Sequence, residues 1–217
     1  MEEYLARLLE HRPGDMAESL SDVYFSPGDF ILKQGERVEA AYLLLEGTTK
    51  DYLLTPGGLL YHTHTYREGT LLGEMELMGG HASICSVRAF TPCTTMRLSR
   101  EIFCRWMEED REFLQYVFEE VHKKVAFSSH MLGMEISYPL KLRTLHFLSR
   151  KMAEGEKYVE KSDIMMGLGA QVRSVDRVVR ELCQEGIIEY DSGVVRVIDP
   201  QKMQEEIERG EDRYLIV

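Results

Sequence analysis

From Leu114 to Leu132 the sequence repeats apolar residues at alternating spacings of four and three: Leu114, Phe118, Val121, Val125, with Ser128 in register, then Leu132. A stripe this narrow is the seam of a coiled coil rather than the wide buried face of a core helix. A second apolar line, Phe113, Val117, Phe127, Met131 and Met134, runs along the same segment. One helix with two apolar lines needs two partners, so one line is expected to cover the chain's own core and the other a second copy of the helix. This constrains the rest of the chain: whatever precedes the helix must supply a body to be covered.

The preceding residues have a different texture. From Val23 to Leu98, short apolar or β-branched runs alternate with turn residues. They include Val23-Tyr24-Phe25 before Pro27-Gly28, Phe30-Ile31-Leu32 before Gly35, and Ala41 to Leu45 before Gly47. Tyr52-Leu53-Leu54, Leu59 to Tyr66, Ser83 to Ala89 and Thr94 to Leu98 continue the pattern. Strands at such spacing with glycine punctuation predict a β-sandwich or jelly roll. Ahead of it, Leu5, Leu8 and Leu9 predict a short amphipathic helix ended by Pro13-Gly14. Ser99 can cap a short helix holding Ile102, Phe103 and Trp106 before the long one begins near Asp110.

Pro139 interrupts the helical pattern and can start the next helix, whose apolar face is Leu142, Leu145, Leu148 and Met152. Two further helices are predicted, about 162–168 and 171–185, separated by Gly169. Ile187 to Tyr190 and Val194 to Ile198 flank Asp191-Ser192-Gly193 and predict a β-hairpin. A last helix runs from Pro200 to about Arg209, with Gly210 expected to stop it. Helix, glycine turn, helix and hairpin together predict a winged helix-turn-helix. The fold class is therefore α+β: an N-terminal β-jelly-roll over residues 1–109, a dimerisation helix over 110–137, and a winged helix-turn-helix over 138–217.

In such a domain the second helix enters the major groove by its N-terminal residues. Here those are Gln171, Val172, Arg173 and Ser174, with Arg177 one turn on. Arg pairs bidentately with guanine and Gln with adenine, whereas Ser174 and Lys161 suit phosphate contacts. The formal net charge of −11 argues against this reading at first, since DNA binders are usually basic. The charge is uneven, however. Residues 1–138 hold 13 Lys+Arg and 22 Asp+Glu, a balance of −9, whereas residues 139–182 hold 9 and 6, a balance of +3. The reading segment is the basic part of an acidic chain.

Taken in order, these residues resemble the cyclic AMP receptor protein and fumarate–nitrate reduction regulator (Crp/Fnr) family of bacterial transcription factors. The resemblance rests on Tyr24-Phe25-Ser26-Pro27-Gly28 with Gln34-Gly35-Glu36, on Tyr42 to Gly47, and on Gly69 with Leu72-Gly73-Glu74. Ser86-Val87-Arg88-Ala89, Leu168-Gly169, and Ser174-Val175 with Arg177 and Leu182 complete it. It implies a homodimer joined through the 110–137 helix, a palindromic double-stranded DNA operator, RNA polymerase as a partner and a small-molecule effector of unidentified kind. It also implies an effector pocket at Gly73, Glu74, Ser83, Ser128 and Ser129, with Glu74 at the position that takes a ribose hydroxyl. The family's cyclic-nucleotide binders carry an Arg-Ser pair where this chain has Ser83 and Ile84. A cyclic phosphate would lack its charge-assisted partner, so this chain resembles a divergent branch.

A competing reading comes from His62-Thr63-His64 and Glu68. Alternate residues of a strand share a face, and two histidines with a carboxylate can hold iron. That reading makes the β-roll a metal or haem sensor, or a cupin-like metal enzyme; two exposed strand histidines are the plainer alternative. Cys85, Cys93, Cys104 and Cys183 form no C-x-x-C pair, so a zinc or iron–sulfur site is poorly supported. With an acidic start, Met1-Glu2-Glu3, and no apolar run of membrane length, the sequence predicts a cytoplasmic, non-enzymatic protein without cofactor, metal or membrane contact.

Overall fold

The structure, a computed structural model, describes residues 20–214, and the side chains of residues 20–212. The helix predicted around Leu5, Leu8 and Leu9 lies outside the described residues. Two compact units are formed, one by residues 20–54 with 63–127 and one by residues 55–62 with 128–214.

The first unit is built on β1 (Ser21–Phe25), β2 (Phe30–Leu32), β3 (Ala40–Glu46), β4 (Thr49–Leu54), β5 (Leu60–Tyr66), β6 (Leu71–Leu72), β7 (Ser86–Ala89) and β8 (Cys93–Ser99). They form two four-stranded sheets, ordered β1-β8-β3-β6 and β2-β7-β4-β5. Alternation sets the inner face: Val87 and Ala89 are buried on β7 while Arg88 between them is exposed. Leu43, Leu71, Leu72, Leu77, Leu98 and Phe103 fill the core. Between β6 and β7 lies a six-residue helix, α1 (Glu74–Gly79), which the sequence pattern did not suggest. Gly73 starts it in the left-handed conformation, φ 81°.

Helix α2 (Arg100–Glu109) is capped by the Ser99 hydroxyl, which accepts from the Ile102 amide at 3.3 Å. Asp110 then turns the chain into α3 (Arg111–Ser137), its carboxylate accepting from the Glu112 and Phe113 amides at 2.8 and 3.3 Å. Phe113, Tyr116 and Val117 are buried, with Phe113 stacked on Trp106 at 4.0 Å between centroids. The Tyr116 hydroxyl donates to the Gly69 carbonyl. Thus the Phe113–Val117 line covers the roll. On the other side the seam residues Phe118, Val125 and Leu132 are exposed, Phe118 by 67% and Leu132 by 57%, while Leu114 and Val121 are half-buried.

The second unit comprises α4 (Leu140–Ala153), β9 (Val159–Glu160), α5 (Lys161–Leu168), α6 (Val172–Gln184), β10 (Ile188–Asp191), β11 (Val194–Val197) and α7 (Pro200–Tyr214). Leu145, Leu148, Ile164, Val175, Val179, Leu182 and Ile187 form its core. The hairpin β10–β11 turns through Ser192 and Gly193, both at positive φ (49° and 93°), the combination that matches strand twist. A third strand, β9, joins the far edge of β11. Helix α7 differs from expectation in one respect: it does not stop at Gly210 but runs to Tyr214. A Cβ on Gly210 would lie 2.8 Å from Cδ1 of Leu142, so this glycine lets two helices approach rather than ending one.

Candidate nucleic-acid interface and effector site

Helix α6 sorts its residues by face. Val175, Val178, Val179 and Leu182 are buried in the core. Gln171, at the N-cap, and Val172, Arg173 and Arg177 are exposed, with Ser174 half-buried. Arg180 is also exposed, three residues beyond Arg177 and seven beyond Arg173, which places all three on one side of the helix. Sequence reasoning missed Arg180, although the spacing alone would have found it.

The charges are sorted as well. Asp176 accepts from the Lys161 ammonium at 2.7 Å. Glu181 accepts from Lys141 at 2.9 Å, and Glu185, just past the helix, accepts from the same ammonium at 2.6 Å. The Asp176 hydrogen bond pushes the Lys161 amine up, and the ammonium lies 5.5 Å over the Tyr190 ring. The acids of α6 are thus neutralised by lysines from α4 and α5. The three arginines make no ion pair among the described residues. Lys161, assigned from sequence to phosphate contact, is positioned beside α6 by Asp176. At the hairpin, Arg196 is paired with Glu189 at 2.5 Å. Asp191 is exposed at the turn, so the wing tip itself is acidic.

The β-roll site is built around Glu74, the first residue of α1, which is fully buried. Both its carboxylate oxygens accept from the Lys124 ammonium of α3, at 2.8 and 2.9 Å. The same nitrogen donates to the Leu71 carbonyl at 2.5 Å and lies 5.1 Å over the Tyr66 ring. Burial pushes the Glu74 carboxyl up, and the neighbouring ammonium opposes this. Asp51 points inward from β4; burial raises its pKa to about 6, against the opposing influence of Thr63 and Lys124. Its Oδ1 is buried without a hydrogen-bond partner among the described residues. Burial and Asp51 together push the Cys85 thiol up to about 12, so it is protonated at neutral pH.

Gly73, Glu74 and Ser83 all lie in the first unit. Ser83 is buried, but its hydroxyl is committed to the Cys85 carbonyl at 2.8 Å. Its backbone is zipped to the β2–β3 loop through the Glu36 carbonyl and the Gly35 amide. Ser128 and Ser129 are exposed on α3 within the second unit. Arg88, the arginine just beyond the Ser83-Ile84 pair, is on the outside of the roll and donates to the Gly28 carbonyl. Lys124 was not singled out from sequence. The signal was there: four residues before Ser128, it continues the 113–117 line that covers the roll. His64 stacks on Tyr66 at 5.2 Å and lies 4.2 Å from the Phe127 ring. Among the described residues no three His, Cys, Asp or Glu side chains are grouped to hold a metal, so His62, His64 and Glu68 do not assemble into the facial triad weighed above.

A roll with a buried carboxylate at a helix turn, a long helix, and a winged unit with an exposed arginine face together define a fold that solved structures share. Residues 22–110 match the cyclic nucleotide-binding domain family. A Crp/Fnr-family transcriptional regulator from Thermus thermophilus is similar in structure, with a TM-score of 0.68 and 22% identity over 87% of this chain and 98% of that one. The c-di-GMP responsive global regulator CLP of Xanthomonas campestris gives 0.76 at 14% identity, over 92% of this chain and 100% of its own. The chain therefore shares its fold with these two structures, and the cyclic nucleotide-binding match falls on its β-roll. Among curated sequences, the cAMP-dependent protein kinase regulatory subunit of Emericella nidulans is 29% identical over 101 residues, 46% of this chain and 24% of that protein. The Drosophila melanogaster type II regulatory subunit is 25% identical over 142 residues, 65% of this chain and 35% of that one. The chain spans about a quarter to a third of the length of these curated relatives.

Proposed function

We propose that this protein is a DNA-binding transcriptional regulator, acting as an effector-modulated homodimer and not as an enzyme. The observation that carries this reading is the charge sorting of α6: Arg173, Arg177 and Arg180 stand free on one face while Asp176 and Glu181 are held by lysines. Residues 1–109 sense, residues 110–137 dimerise through the open seam, and residues 138–217 read a palindromic operator. Gln171, Val172, Arg173 and Arg177 reach base edges, and Ser174 and Lys161 contact the backbone. Half-sites about one helical turn apart follow from two-fold symmetry. A cytoplasmic location and contact with RNA polymerase accompany this role. Among the described residues no helix is long and apolar enough to cross a membrane.

The test is selection of bound sequences from a random DNA pool, followed by titration of the recovered site at several salt concentrations. Specific binding is expected to weaken steeply with salt, and Arg173→Ala and Arg177→Ala each to cost about 1–3 kcal/mol. Recovery of no sequence, or arginine variants equal to wild type, would overturn the assignment. The family match over residues 22–110 speaks for a cyclic nucleotide as effector, but the missing Arg-Ser pair and the Lys124 ammonium on Glu74 speak against it, and the effector proposed here is a small molecule of another kind.

A further inference from the structure

An ammonium has three protons to donate. The Lys124 ammonium has three acceptors: both carboxylate oxygens of Glu74, at 2.8 and 2.9 Å, and the Leu71 carbonyl at 2.5 Å. Glu74 is fully buried and the Lys124 side chain is 13% exposed, so the pair is shielded from water and only weakly screened by salt. The two residues are fifty positions apart. One opens α1 and the other lies on α3, the helix whose opposite face carries the seam.

A nucleotide entering this roll needs an acceptor for its ribose hydroxyls and a cation for its phosphate. Both oxygens of the acceptor, Glu74, are already engaged by the chain's own amine. Between Gly73 and Ala89 the one arginine or lysine is Arg88, which is outside the roll and bonded to the Gly28 carbonyl, and the Ser83 hydroxyl is bonded to the Cys85 carbonyl. The remaining ionisable groups facing Lys124 and Glu74 are Asp51, Glu76 and Tyr66, which would add negative charge or none. Displacing the ammonium from Glu74 would strand a buried charge, a costly step without a replacement partner.

We propose that Lys124 is the specificity-determining residue of the β-roll: its ammonium occupies the ribose-binding carboxylate as a built-in ligand. It fastens α3 to the α1 turn without a nucleotide and excludes cyclic nucleotides from the site. This rests on the regulator reading above, because it assigns the regulated step of that regulator to opening of the Glu74–Lys124 pair. Removing the pair is expected to loosen α3 from the roll while leaving the winged unit intact.

The experiment is hydrogen exchange by mass spectrometry on the full chain, comparing wild type with Lys124→Met, Glu74→Gln and the double variant. Calorimetry with cyclic AMP and cyclic GMP and binding to the selected DNA site accompany it. In Lys124→Met, amides of residues 69–79 and 111–127 are expected to exchange at least tenfold faster, with residues 140–200 unchanged as the internal check of folding. The double variant is expected to be no worse than the worse single one, because the two residues act as one unit. Wild type is expected to bind neither nucleotide at millimolar concentration and to bind its DNA site without one. Additive single effects, unchanged exchange in Lys124→Met, or micromolar binding of a cyclic nucleotide by wild type would overturn the proposal. Should Lys124→Met fail to fold, Lys124→Gln carries the same comparison. Absence of DNA binding in every variant would defeat the regulator reading, while exchange and calorimetry would still decide the ion pair.

Discussion

Gly167 and Phe147 approach so closely that no side chain fits between them: a Cβ on Gly167 would lie 2.3 Å from Cε2 of Phe147. Gly167 is inside α5, where helix propensity alone favours alanine by about 1 kcal/mol. Packing opposes propensity here, and packing is expected to win. Gly167→Ala should destabilise the second unit by about 1–3 kcal/mol, the usual cost of overpacking. Gly133, within α3, has nothing within 4 Å of its virtual Cβ. Gly133→Ala should therefore stabilise, by about 0.5–1 kcal/mol. Denaturant unfolding of both variants checks the pair; equal signs would mean that propensity, not contact with Phe147, governs position 167.

Asp51 predicts a pH dependence of opposite sign to the usual carboxylate. Its folded pKa, about 6, lies above the ordinary aspartate value of 3.8. Between these values the folded state holds a proton the unfolded chain has released. Stability contributed at Asp51 is therefore full below pH 3.8 and lost as pH rises through 6, a change of about 3 kcal/mol at most. Asp51→Asn removes the charge while keeping the shape. It is expected to unfold at higher denaturant than wild type at pH 7.5 and to show little gain at pH 4. A gain at pH 4 equal to that at pH 7.5 would show that Asp51 is not the titrating group.

These positions also show what the sequence could and could not reveal. The long helix, its open seam and the winged unit were legible because each depends on local periodicity: the four-three spacing of Leu114 to Leu132, and the Val175–Leu182 face of α6. Helix α1 was not, because its six residues open on a left-handed glycine and carry too few apolar positions to show a period. Gly210 was misjudged for a related reason. A glycine that ends a helix and one that admits a neighbouring helix look alike until Leu142 is placed against it. In the β-roll, Glu74 was singled out, but the residue it binds was not. Lys124 and Glu74 are fifty positions apart, and only the fold brings them within 2.8 Å.

The lysines around α6 offer a test of charge sorting that leaves the reading residues untouched. Lys141 holds both Glu181 and Glu185, and these interactions push its amine up even though burial pulls it down. Lys141→Met would release two carboxylates beside a helix expected to face phosphates. DNA affinity should fall several-fold, and more at low salt, where unscreened repulsion is larger. Arg180→Ala should instead lower affinity with little change in the preferred sequence and reduce the salt slope by about 1, the signature of a phosphate contact. Titrations of both variants across a salt series distinguish the two effects. A changed preferred sequence in Arg180→Ala would move that arginine from the backbone to a base edge.

The seam of α3 leads to the last prediction. Phe118, Val125 and Leu132 are spaced seven apart and all are substantially exposed, an arrangement that costs solubility unless something covers it. Coiled-coil geometry selects a second copy of the same helix as that cover, since heptad-spaced knobs fit the holes of an identical stripe. A glutamate at Leu132 would face its own symmetry mate and place two like charges in an apolar seam. Leu132→Glu is expected to convert a dimer to a monomer in sedimentation velocity at micromolar concentration, with helix content retained by circular dichroism. Tyr158→Glu, an equally exposed position away from the seam, serves as the control and should leave the mass unchanged. A dimer that survives Leu132→Glu and also Phe118→Glu would show that the copies associate through some other surface.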